Sequence, residues 1–436
     1  MPLPMTDYGG QTKTLDEAYV YLDPLFALKK GGADQKYWDW FYVERDSQIL
    51  SSLVRSIRYH KRPRLYSGHI GSGKSTELQR LAHHPDLQRE FVVIHYSVKE
   101  DLDPANLDFA DVLVSIAAKL FLAGDTAGVP LSNELLTKIR EWKEAVIEHS
   151  DTLLGTFELK LQTDVKAFFL QWLGVLKGSR EMKETYAAKV KQRIQGLIDI
   201  INDRLILEIH ASHQLGKMPL VILDDLEKLS LEQARAIFKD HGKLLSELRC
   251  PIIYTFPIAL EYDLDMNPVI GLFGEVIRLP NMKLRTKDGQ PVAENLAWMR
   301  EVVERRMSLK LIDEIALNKA IEYSGGVVRE LFRILSIACD QALNQDMPAI
   351  GVPQVQSAIN RIQNHYVYSL KDELHYPLLA KVYETKAVEG DQQYVRLMHS
   401  LHILKYANDV DWFDINPMIR DQVQKRTRTI NAASFG

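Results

Sequence analysis

Apolar residues fall along this chain in two rhythms. Short unbroken runs occur at Arg64 to Ser67, Phe91 to Tyr96, Leu220 to Leu223, Ile252 to Thr255 and Val276 to Leu279. Runs of this length bounded by polar or turn residues predict strands buried on both faces. Between them the apolar positions recur every three or four residues. Examples are Ile49, Leu50, Leu53, Val54 and Ile57, then Ser75 to Ala82, then Asp108 to Leu120. That spacing predicts amphipathic helices. Strands alternating with helices predict an α/β fold with a parallel sheet covered on both sides.

Other segments break the alternation. Leu15 to Lys30 predicts a helix stopped at Gly31-Gly32, and Tyr37 to Tyr42 is the densest aromatic cluster. About 120 residues separate the second and third strands, too many for one crossover. Val190, Ile194, Leu197, Ile201 and Leu205 give one long helix there, Phe157 to Leu161 alternates like a short strand, and Phe168 to Leu173 forms an apolar knot. This stretch, about 125–215, reads as a helical insertion packed on its parent domain. After Pro280 the predicted elements are helices, at Leu296 to Met307, Leu317 to Tyr323 and Arg329 to Leu343. Tyr376 to Glu384 and Tyr394 to His402 predict two more. Ile403 to Tyr406 and Trp412 to Ile415 predict a hairpin about Asn408-Asp409. The expected organisation is an N-terminal preface 1–45, a core 46–282 carrying the insertion, a helical lid 283–365 and a winged-helix module 366–436.

Composition narrows the function classes. Hydrophobic residues make up 46% and charged residues 26%, as expected of a globular protein with a substantial core. No apolar run is long enough for a membrane span, and no leader pattern is visible at the N-terminus. Cys250 and Cys339 form no metal or redox motif. They read as core thiols in a reducing cytoplasm. The net charge of −4 gives no general attraction to nucleic acid, and Lys425, Arg426 and Arg428 form a short basic tail.

Two motifs carry chemistry. Gly68-His69-Ile70-Gly71-Ser72-Gly73-Lys74-Ser75, followed by Thr76, matches G-x-x-x-x-G-K-[ST] at every fixed position. Glycines let backbone N–H groups converge on a phosphate, and the helix that follows presents its positive end. Lys74 would neutralise the β- and γ-phosphates of ATP, and the Ser75 hydroxyl would ligate Mg2+. The second motif is Leu220-Val221-Ile222-Leu223-Asp224-Asp225-Leu226-Glu227. A buried strand ends in acids where open α/β sheets bind ligands. Asp224 is the expected magnesium ligand. Asp225 is placed to orient or deprotonate water, with Glu227 as the second candidate.

These motifs, the polar Thr255 ending the following strand, and Ser324-Gly325-Gly326-Val327-Val328-Arg329 resemble the AAA+ and STAND branches of P-loop ATPases. The resemblance is strongest to origin-recognition-like ATPases and bacterial STAND relatives with a C-terminal winged helix. It implies that the Thr255 strand lies between those of the P-loop and Asp224, with Thr255 sensing the γ-phosphate. It also implies that Arg329 reaches the phosphates from the lid, and that Tyr42, Val43 and Arg45 lie near the adenine. One departure is clear: Pro251 to Val276 holds no arginine or lysine, where such ATPases carry an arginine finger. Arg249 and Arg305 are the nearest substitutes. The resemblance implies a slow ATPase switch that forms a homo-oligomer in its ATP state or controls a separate effector protein, as in anti-phage defence. The alternative it implies is an ATPase of DNA transactions.

Overall fold

The structure, a computed structural model, describes residues 8–45, 47–129, 131–147, 173–174, 190–212, 216–407 and 410–426. The expected strand at Phe157 to Leu161, the knot from Phe168 to Trp172, the turn Asn408-Asp409 and Arg428 lie outside these residues. The chain divides into two compact units. One comprises 48–67 and 78–277. The other comprises 1–47, 68–77 and 278–436.

In the first unit a sheet is built from β1 (Arg64–Gly68), β2 (Phe91–Ser97), β3 (Met218–Asp224), β4 (Ile252–Pro257) and β5 (Ile277–Arg278), in the order β2-β3-β4-β1-β5. β3 runs parallel to β2, from Phe91 beside Met218 to Ser97 beside Asp224. It also runs parallel to β4, with Val221 beside Ile252 and Leu223 beside Tyr254. β3 is buried from Pro219 to Asp224, as its unbroken apolar run requires. β4 lies between β1 and β3, as the family resemblance implies. The helix Phe109–Thr126 is buried on most of its surface. Asp108 caps its N-terminus in a box with Asp111.

The described part of the insertion folds onto this unit. Val190, Leu197, Ile201 and Leu205 are all buried, and Trp142 Nε1 donates to Arg193 O at 3.0 Å. The long helix contains a π-turn over Ile201–Leu205. Within it, buried Asn202 donates to Glu247 O at 3.0 Å and accepts from Arg249 N at 2.8 Å, fixing the approach to β4.

In the second unit the first helix covers Leu15–Tyr21, shorter than its periodicity predicts. Pro24 cannot continue a helix, and Asp23 instead accepts from the Leu25 and Phe26 amides in a local turn. The aromatic cluster forms the helix Gln35–Phe41, whose Trp38 and Phe41 pack with Tyr21 and Leu28. Arg306 lies 3.9 Å over the Phe332 ring, and burial holds its pKa down to about 9. The lid consists of Ala293–Glu304, Glu314–Tyr323, Val328–Asn344 and Val352–Tyr368. Two helices, Asp372–Thr385 and Gln392–His399, then precede the antiparallel hairpin β6 (Ile403–Tyr406) and β7 (Trp412–Ile415). Helices followed by this hairpin form the winged-helix module. Both cysteines are free and buried, and burial raises each thiol to about 12.

Candidate nucleotide site

The glycine-rich loop belongs to the lid-bearing unit. Gly71 and Gly73 adopt φ 84° and 100°, a backbone conformation that side chains disfavour. A Cβ on Gly71 would lie 2.7 Å from the Cβ of Arg329. The Ser72 amide donates to His69 O at 3.1 Å, closing the curl. Lys74 is buried, and its Nζ donates to the carbonyls of Gly68 and His69, each at 2.9 Å. The cation is thus held inside the loop, where phosphates would compete for it. Ile70, Ser75 and Thr76 are partly exposed, and the helix Lys74–Ala82 carries the last two.

Three tethers hold this loop. Arg45 donates from Nη1 to Ser72 O at 2.6 Å and from Nη2 to Pro280 O at 2.8 Å. The Arg329 amide, at the start of a lid helix, donates to Gly71 O at 3.2 Å. The backbone amide of Lys405, on β6, donates to His69 Nε2 at 2.7 Å. His69 is 1% exposed, and burial, with Lys74 and Lys405 nearby, lowers its pKa to about 3. It is therefore neutral. Because Nε2 accepts, the proton resides on Nδ1, which is buried without a partner. Arg45 thus grips the loop's backbone, and Tyr42 OH donates to Glu77 Oε1 at 3.2 Å. The third tether was illegible in the sequence, because it joins a variable position of the loop to a backbone amide 336 residues away.

The acidic strand end belongs to the sheet-bearing unit. Asp224, Asp225 and Glu227 are buried, and each offers a carboxylate oxygen within 4.8 Å of the others. Asp225 adopts φ 73°, and its amide donates to Asp224 Oδ1 at 2.7 Å. Burial works to raise the Asp225 pKa, but the paired Lys228 ammonium and the Ser97 hydroxyl, donating at 2.6 Å, bring it below the ordinary carboxylate value. Asp225 is thereby a stable anion and a weak base, better suited to orienting water than to deprotonating it. Three buried carboxylates repel one another, and Lys228 offsets only part of that charge. Such a hard-oxygen set fits Mg2+.

The Thr255 hydroxyl is engaged by backbone. Its Oγ1 accepts from the Leu226 amide at 2.9 Å and lies 3.3 Å from Leu223 O, to which it donates. The single hydroxyl proton is committed to backbone, so Thr255 braces the turn that carries the acids. The substitutes for an arginine finger are also engaged. Arg249 pairs with Asp203 at 2.6 Å, and Arg305 pairs with Glu301 at 2.9 Å.

No family profile and no curated protein sequence matches the chain. Among solved structures it is similar to Cdc6p from Pyrobaculum aerophilum, with 12% identity over 90% of this chain and 98% of that one, at a TM-score of 0.38. The Aeropyrum pernix ORC1 protein, solved in complex with DNA, shares 14% identity over 89% and 97% of the two chains, at a TM-score of 0.37. Drosophila ORC bound to DNA shares 13% over 98% and 94%, at 0.39. Likeness at this level carries no weight for function, which rests on the residues described above.

Proposed function

We propose that this chain is an ATP-binding switch of the AAA+ and STAND type that hydrolyses ATP slowly. The P-loop amides and Lys74 bind the β- and γ-phosphates, and Ser75 and Asp224 hold Mg2+, which neutralises phosphate charge. Asp225 orients the attacking water, and Glu227 accepts its proton. Thr255 positions the acidic turn, and Arg329 answers the γ-phosphate from the lid. Slow turnover follows from the lack of basic residues between Pro251 and Val276 and from the pairing of Arg249 and Arg305.

One observation carries the switch reading: the phosphate loop is hydrogen-bonded to a lid helix through Arg329 and to the wing through Lys405. A phosphate that draws Lys74 from its carbonyls must disturb the loop to which both are tied. The lid and wing then report the nucleotide state to a second copy of the chain or to a separate effector.

The DNA-transaction alternative would require cations presented by the wing. Lys405 is instead 2% exposed and paired with Asp411 at 2.8 Å, and Arg426 pairs with Asp372 at 3.4 Å. The test is light scattering of the full chain with and without ATP and with duplex DNA at moderate salt. ATP-dependent association without DNA supports the switch. Tight DNA binding lost on neutralising Lys425 and Arg426 supports the alternative.

A further inference from the structure

Within the lid-bearing unit a second cavity of about 540 Å3 opens between the lid and the wing. Its size suits a small organic ligand. Its walls are the loop from Leu284 to Pro291, two lid helices, the end of the helix Asp372–Thr385 with Lys386, and the wing hairpin with Pro417 and Arg420 just after it. Five cations line it, Arg285, Lys287, Arg300, Lys386 and Arg420, against two carboxylates, Glu322 and Asp414. Arg285 pairs with Glu322 at 2.8 Å. Lys386 and Arg420 share Asp414 at 2.7 and 3.7 Å. Arg300 pairs with Glu314, outside the lining, at 3.6 Å, which leaves a local excess of two positive charges on a chain whose net charge is −4.

Two lining residues also hold buried N–H donors without an acceptor, Trp412 Nε1 and Arg420 Nε. Trp412 is 4% exposed, so its unmade bond is costly. Its ring stacks on Tyr406 with centroids 4.7 Å apart, giving the cavity an aromatic wall. Tyr406 in turn donates to Gly325 O at 2.8 Å, so the wall joins wing to lid.

We propose that this cavity binds a nucleoside monophosphate or a closely similar planar anion, independently of the P-loop. Arginine forks that can exchange a carboxylate for a phosphate suit such an anion. The aromatic wall suits a flat ring. A ligand here would bridge the 284–291 loop and Arg420, and so stabilise the packing of wing on lid.

The experiment is calorimetric titration of the full-length Lys74→Ala protein with AMP, GMP and inorganic phosphate. That background separates the cavity from the P-loop, and the proposal does not rest on the ATPase reading. At least one mononucleotide should bind at one site per chain, with inorganic phosphate weaker by about tenfold or more. Arg285→Gln with Arg420→Gln should weaken binding about tenfold or more. Trp412→Phe, which keeps the packing, should weaken it without changing the far-UV spectrum. Circular dichroism and melting identify any variant that fails to fold, and Arg285→Gln alone, at a half-exposed position, is the fallback. No binding of either mononucleotide at millimolar concentration would overturn the proposal. So would binding that survives in a folded arginine variant, or phosphate binding as tightly as the nucleotide.

Discussion

Replacing His69 isolates the tether between phosphate loop and wing. In His69→Leu the Lys405 amide keeps its buried position but loses its acceptor at 2.7 Å. An unsatisfied buried N–H costs about 1–3 kcal/mol, so local opening of β6 should become roughly ten- to a hundredfold more frequent. Hydrogen exchange at the Lys405 amide reads this directly. His69→Gln supplies another acceptor and should restore part of the protection.

The same ring makes a prediction in pH. In the fold its pKa is lowered from the ordinary 6.5 to about 3. Between those values the unfolded chain takes up a proton that the fold refuses. The stability contributed by neutral His69 is therefore complete above pH 6.5 and is lost as pH falls toward 3, by about 1.4 kcal/mol per unit. Urea unfolding across this range should show His69→Gln losing stability less steeply than the wild type, by one proton. Parallel pH curves for the two proteins, together with unchanged Lys405 exchange in His69→Leu, would refute the tether.

Gly71→Ala places a Cβ at φ 84° and 2.7 Å from the Arg329 Cβ, and should destabilise the lid-bearing unit by about 1–3 kcal/mol in thermal melts. Asp225→Asn should retain ATP but slow hydrolysis in a steady-state phosphate-release assay, because Lys228 and Ser97 lose their anionic partner. Asp224→Asn should additionally blunt the magnesium dependence of ATP binding, measured by titration with and without the metal. Removing residues 370–436 should change ATP-dependent association in light scattering more than any affinity for duplex DNA.

Much of this architecture was legible in the residues. The apolar runs became β1 to β4, the acids after Leu223 stand at the end of β3, and the two strands expected after His402 pair as a hairpin. Local pattern sufficed because each of these elements is defined by its own side chains. What escaped depends on distant partners. The hydroxyl of Thr255 looks available in sequence and is consumed by backbone across β3. Lys405 looks like a wing cation and is buried against Asp411. The helix Val352–Tyr368 follows Gly351 and carries Pro353 in its first turn, and the turn-like character of this pair obscures the apolar face of Val355, Ile359 and Ile362. The positive cavity draws its residues from five separate segments, so no spacing could announce it.

On the proposed reading, the Gly68–Ser75 loop holds a nucleoside triphosphate through Lys74. Equilibrium binding of ATP with Mg2+ to the full chain and to Lys74→Ala tests it most directly. The wild type should bind saturably at one site, and the variant should lose about a hundredfold or more in affinity with melting behaviour unchanged. Equal affinity in the two proteins would contradict it.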